Sequence, residues 1–189
     1  MRHLSFAIIA AAFVFQACAA QPHPIAPAPP EPPRLLAAGL DTKPLAVGSR
    51  PPDFEARAHD GSIVHLSALA GREVVLFFYT QDETPLSERE AMDLRDQWPD
   101  YAKRGVMVIG ISRDTLGSHV AFAQNHRLPF PLVSDESGEL TRAFGVPAPY
   151  GIGDRQTFVI GRDGAIKNIY RTVDVVQQPA LLRADLEGS

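Results

Sequence analysis

Cysteine is almost missing from this chain: among 189 residues only Cys18 carries a thiol. An intramolecular disulfide is therefore excluded, as is a metal centre built on a cysteine pair. The other ligand types do not fill the gap, because the sequence holds no His-x-x-x-His and no carboxylate set at metal-ligand spacing. Neither a metal nor a cofactor is expected. Basic clusters are absent too. The 18 Lys and Arg are scattered among 22 Asp and Glu, giving a net charge of −4, which removes the electrostatic basis for binding nucleic acid. No apolar run reaches the roughly 20 residues of a membrane-spanning helix, and no internal repeat is visible. What is present, 45% hydrophobic and 21% charged, is the composition of one globular domain with or without a tail.

Proline, in contrast, is concentrated near the start. Met1-Arg2-His3 carries positive charge and precedes the apolar stretch Leu4 to Phe15, so residues 1–17 read as an export signal peptide. Phe15-Gln16-Ala17-Cys18 resembles the lipobox of bacterial lipoproteins, making Cys18 a candidate lipidation site. The chain is then expected in the cell envelope, held to the membrane by a lipid anchor and facing the periplasm. Ala17-Cys18-Ala19 also reads as a site for ordinary signal peptidase, which would leave a soluble secreted or periplasmic protein. Residues 18–44 form a tether in which Gln21 to Arg34 holds seven prolines and is expected not to fold. Such a segment favours extended polyproline II and spans up to about 80 Å at ~3.1 Å per residue.

From 45 to 189 the pattern becomes α/β. Phe54–Arg57 and Ile63–His65 flank the Asp60-Gly61 turn and predict an N-terminal β-hairpin. The unbroken apolar runs Glu73 to Tyr79 and Val106 to Ile111 suit strands covered on both faces. Gln156–Ile160 and Ala165–Tyr170 predict a closing hairpin, so the central sheet is mixed. Ser87-Glu88-Arg89-Glu90 has the form of a capping box, with Leu94, Trp98 and Tyr101 following on one helical face and Pro99 expected to break or kink the helix. Further helices are predicted over Thr115 to His126, Gly138 to Phe144 and Pro179 to Leu186.

These motifs carry a resemblance. Pro52-Asp53-Phe54, Asp60-Gly61, Leu66-Ser67, Phe78-Tyr79 running into Thr80-Gln81-Asp82-Glu83-Thr84-Pro85-Leu86-Ser87, Gly110-Ile111-Ser112, Ser134-Asp135 and Phe144-Gly145-Val146 together resemble the peroxiredoxins. Within the alkyl hydroperoxide reductase and thiol-specific antioxidant family, the similarity is greatest to the peroxiredoxin Q group, also called bacterioferritin comigratory protein. It covers roughly Val47 to Leu186 and implies a thioredoxin-like fold and thioredoxin-dependent peroxide reduction. Laid on this chain, the family's loop threonine is Thr84, its arginine is Arg155 and its supporting glutamate is Glu90. Its peroxidatic cysteine position holds Ser87, its loop proline position Thr80 and its resolving position Met92.

The family reaction needs sulfur. A thiol ionises near pH 8.5 and lower at a helix N-terminus beside an arginine, and the thiolate attacks a peroxide oxygen to become sulfenic acid. A serine hydroxyl ionises far above neutral pH and has no such oxidation ladder. The expectation is an antioxidant-family protein without thiol-peroxidase turnover, acting as a binding or interaction protein through Thr84, Ser87, Glu90 and Arg155. Its expected partners are a small anion or peroxide and, through Cys18, the membrane. Ser87 as helix cap and Glu90 as ion-pair partner of Arg155 is the purely structural alternative. Two others stand beside it: residual peroxide reduction, and a serine hydrolase. The hydrolase would need a histidine base, yet His59, His65, His119 and His126 fall in no motif that places one beside Ser87.

Overall fold

The computed structural model describes residues 31–36 and 45–187. The export signal, Cys18 and most of the tether lie outside the described residues. A five-stranded sheet in the order β6-β5-β4-β7-β8 forms the centre. Its strands are β4 (Val74–Phe78), β5 (Met107–Ser112), β6 (Leu132–Ser134), β7 (Gln156–Ile160) and β8 (Ile166–Tyr170). β4 runs parallel to β5 and antiparallel to β7, so the expected mixed α/β sheet is found.

Every residue of β4 is buried, as the continuous apolar run VVLFF requires of a strand covered on both faces. Its alternating side chains feed two cores. Val74, Leu76 and Phe78 join Phe54, Val64, Phe144 and Phe158 on one face, while Val75 and Phe77 join Leu94, Tyr101, Phe122 and Leu182 on the other. The second face is covered by helices α1 (Pro85–Arg104), α2 (Leu116–His126) and α4 (Gln178–Glu187); the first is covered in part by the short α3 (Glu139–Ala143). Gly110 on β5 is required by close approach. A Cβ there would stand 2.6 Å from Leu132 Cδ2 and 2.8 Å from Phe77 Cζ.

The N-terminal hairpin is present as β2 (Phe54–Arg57) and β3 (Ile63–His65), closed by Gly61 at φ +84°. It gains a third strand, β1 (Arg34–Leu35), paired antiparallel with β2. The expectation that the proline-rich segment does not fold is corrected at its end, where Arg34 enters a strand and Pro33 is buried. Two residues are enough because β2 offers a free edge, and the Leu36 N–H also donates to the Asp53 carbonyl at 3.0 Å.

Pro99 neither ends nor divides α1, which runs through it to Gly105, a left-handed C-cap at φ +71°. Pro99 removes one helical hydrogen bond, but buried Leu94 and Tyr101 pin the helix to the core on both sides of it. β6 was not expected from the sequence; three residues are too few to set up a period. It is held by pairing with β5 and by an isolated bridge from Val133 to Ala58.

Candidate functional site

The loop 80–84 leaves β4 and enters α1 three residues earlier than a capping box at Ser87 would allow. Pro85 is the first helical residue, Thr84 is the N-cap with extended backbone, and Ser87 lies inside the first turn. Proline suits that position because its fixed φ is already helical and its missing N–H has no helical partner to lose. The reading of Ser87 as helix cap is therefore overturned. Its hydroxyl turns inward instead, and the residue is 1% exposed.

Thr84, Ser87, Glu90 and Arg155 all come together. Ser87 Oγ is 2.8 Å from Thr84 Oγ1, 3.5 Å from Thr80 Oγ1 and 3.4 Å from both Nη1 and Nη2 of Arg155. Arg155 Nη1 donates to Glu90 Oε2 at 2.8 Å, and Nη2 donates to Thr80 Oγ1 at 3.1 Å. The sheet explains the meeting. β7 pairs antiparallel with β4, with Gln156 opposite Phe78, so Arg155 emerges beside the start of the loop. Glu90 sits one helical turn after Ser87, on the same face. Thr80, noted in the sequence only as a departure from the family proline, supplies a hydroxyl to the arginine.

Glu90 is buried so completely that its carboxyl is pushed up to about 7, even though the Arg155 charge and hydrogen bond pull it down. Its Oε1 has no hydrogen-bond partner. The Leu86 and Ser87 N–H groups precede the first helical bond, Glu88 N–H to the Thr84 carbonyl at 2.9 Å. Backbone donors and a guanidinium thus face the same few ångströms, an arrangement suited to an anion or an oxygen-rich ligand.

A second polar cluster lies under the same loop and was not anticipated. Asp82, nearly buried, accepts from the Tyr79 hydroxyl at 2.7 Å and the Ser118 hydroxyl at 2.7 Å, and its Oδ2 is 2.9 Å from His119 Nδ1. The Asp82 N–H donates to Asp114 Oδ2 at 2.9 Å, and His119 Nε2 is 3.2 Å from the Val133 carbonyl. Burial pushes the Asp82 carboxyl up, but the bonds and charge of His119, with the two hydroxyls, outweigh it and leave it below the usual carboxylate range. Burial, with Asp82 adding to it, holds the Tyr79 phenol well above its ordinary value.

His119 therefore does meet the loop, although at Asp82. Ser87 Oγ contacts Thr84, Thr80 and Arg155, and none of these is a general base. His126 also reaches the loop: Glu83, Glu88 and His126 bring ligand atoms within 4.8 Å of one another. Sequence spacing does not show this group, since Glu83 and His126 are 43 positions apart. Glu83 is already engaged, accepting from Asn125 Nδ2 at 2.9 Å and standing 3.2 Å from His126 Nε2. Tyr150, five residues before Arg155, is fully exposed on a short 3₁₀ turn. A cavity of about 160 Å³ lined by Arg50, Leu66, Leu69, Val74 and Ile160 lies at the opposite end of β4 and β7 from Ser87.

The AhpC/TSA family pattern matches residues 47–169. The chain is 42% identical over 148 residues to a chloroplastic peroxiredoxin Q of Triticum aestivum, covering 77% of this chain and 67% of that protein. It is 35% identical over 138 residues to a putative peroxiredoxin bcp of Coxiella burnetii, covering 69% and 91%. Among solved structures it is similar to a cysteine-to-serine mutant of Xylella fastidiosa peroxiredoxin Q, with a TM-score of 0.71 and 28% identity over 77% of this chain and 98% of that one. It is also similar to Xanthomonas campestris bacterioferritin comigratory protein, studied for alkyl peroxide reduction, with a TM-score of 0.66 and 33% identity over 71% and 90%.

Proposed function

The chain belongs to the AhpC/TSA family, among relatives named peroxiredoxin Q and bcp, and from that premise we propose that it binds a small oxygen-rich ligand without thiol-peroxidase turnover. The observation that carries this is the pairing of an intact surround with a missing thiol. Thr84, Glu90 and Arg155 converge on the first turn of α1, and the residue they surround is Ser87. The one cysteine, Cys18, belongs to the segment read as the export and lipidation signal.

Each remaining group has work to do in binding. Arg155 donates from two nitrogens, Thr80 and Thr84 carry hydroxyls, and the N–H groups of Leu86 and Ser87 point out of the helix start. None can pass electrons to a peroxide. Oxygen in Ser87 cannot follow sulfur to the sulfenic state, and without a neighbouring base it stays a neutral hydroxyl. We place the mature protein in the cell envelope, anchored through acylated Cys18; Cys18→Ala should move it from the membrane fraction to the soluble one.

Residual peroxide reduction is the second reading, supported by the reductase relatives and by the retained Thr84, Glu90 and Arg155. Peroxide consumption by the mature protein with a thioredoxin reductant separates the two. No turnover is expected; consumption at the rate of a thiol peroxidase would overturn the binding reading.

A further inference from the structure

Arg155 in this structure is divided between a carboxylate and a set of hydroxyls. Its bond to Glu90 Oε2 is short at 2.8 Å, whereas Ser87 Oγ stands off at 3.4 Å from both nitrogens. The Glu90 side chain is 0% exposed and the Arg155 side chain 11%. One carboxylate oxygen, Oε1, is buried with no partner. A charge desolvated to this degree depends chiefly on Arg155 for its stability, with Gln178 adding to it.

An anion entering at Arg155 and the first turn of α1 would bring a second negative charge to a guanidinium that already serves one. Two carboxylates cannot both remain ionised in such a site, and one of them takes a proton. Glu90 is the one already fully buried, with Oε1 unmet.

We propose that this pocket takes up a small monovalent oxyanion of the carboxylate type together with one proton, Glu90 accepting the proton while Arg155 exchanges Glu90 for the ligand. The inference rests on the binding reading above and adds the ligand class and its regulation. Charge balances: Arg155 and ionised Glu90 sum to zero before binding, and Arg155, the anion and neutral Glu90 sum to zero after. Solvent supplies the proton. The groups facing Glu90 are Arg155 ahead of β7, Ser87 on its own helix and Gln178 at the start of α4, so Arg155 is the one charged partner among the described residues. Burial already sets the Glu90 carboxyl at about 7, which makes the exchange a neutral-pH event.

Formate tests this, since it stays ionised throughout the range between about pH 5.5 and 8.5 in which Glu90 titrates. Calorimetric titration of the mature protein in two buffers of different ionisation heat reads the protons taken up. Affinity should be level below Glu90's titration and weaken about ten-fold per pH unit above it, with uptake approaching one proton. Glu90→Gln should bind formate with no uptake and no pH slope, and Arg155→Ala should not bind it. Formate binding without proton uptake at about pH 8, or a Gln variant that keeps the wild-type slope, overturns the coupling and leaves the binding function standing. Absence of formate binding at every pH overturns both. Should Glu90→Gln fail to fold, the infrared difference spectrum of the wild type decides: a protonated-carboxyl band must appear when formate is added at about pH 8, and its absence contradicts the proposal.

Discussion

Two polar clusters flank the loop 80–84, and they are built on opposite terms. Around Asp82 the bonds are short: Tyr79, Ser118 and His119 all approach within 2.9 Å, and the Asp82 N–H is met by Asp114. Around Ser87 most contacts are long, Arg155 is shared among three partners, and Glu90 keeps one oxygen unbonded. The first cluster uses its hydrogen-bonding capacity to fix the loop. The second holds capacity in reserve, which a site needs if it is to accept something from outside. Buried polar networks that are fully satisfied give rigidity, and incompletely satisfied ones mark places where a ligand can enter.

The contrast can be broken by removing one member from each cluster. The largest effect is expected from His119→Ala, which takes from the buried Asp82 carboxylate its contact with the imidazole and leaves a cavity beneath the loop. Urea unfolding should show a loss of about 3–5 kcal/mol, and a loss under about 1 kcal/mol would mean that the Asp82 cluster does not anchor the loop.

Next comes Glu90, whose folded-state carboxyl is raised from 4.5 to about 7 by burial. The folded protein therefore binds this proton more tightly than the unfolded chain between those values, and linkage makes stability fall as pH rises through that window. The drop is on the order of 3 kcal/mol at 1.36 kcal/mol per unit, complete above neutral pH and absent below about 4.5. Unfolding profiles of wild type and Glu90→Gln across that range check it, because the Gln variant should lack this part of the slope. The smallest effect is expected from Ser87→Ala. Three of the four contacts of Ser87 Oγ are 3.4 Å or longer, so the loss should be about 1 kcal/mol or less. A larger loss in the same unfolding assay would mean that Ser87 is a structural cap in all but position.

Most of the frame was legible in the sequence because its strands are long and apolar. VVLFF at β4 and MVIGIS at β5 can only be covered strands, and Asp60-Gly61 fixes the hairpin turn. β1 and β6 were not legible, since segments of two and three residues exist only by virtue of the edges they complete. The Ser87 cluster was readable through the family resemblance, which gave Thr84, Glu90 and Arg155. Its Thr80 contact was not, because that depends on where the guanidinium of Arg155, just ahead of β7, happens to end. The Asp82–His119 pair was missed for a similar reason: the two residues are 37 positions apart and join through the packing of α2 against the loop. The displaced helix start teaches a local lesson. Ser-x-x-Glu and Thr-Pro compete to open α1, and proline at the first helical position prevails over a capping box.

The most direct test of the central claim is peroxide consumption by the mature protein and by Ser87→Cys, side by side, with a thioredoxin reductant. The account predicts an inert wild type and a cysteine variant that forms sulfenic acid and turns over, since Thr84, Arg155 and the first turn of α1 already surround that position. Peroxide turnover by the wild type would contradict it.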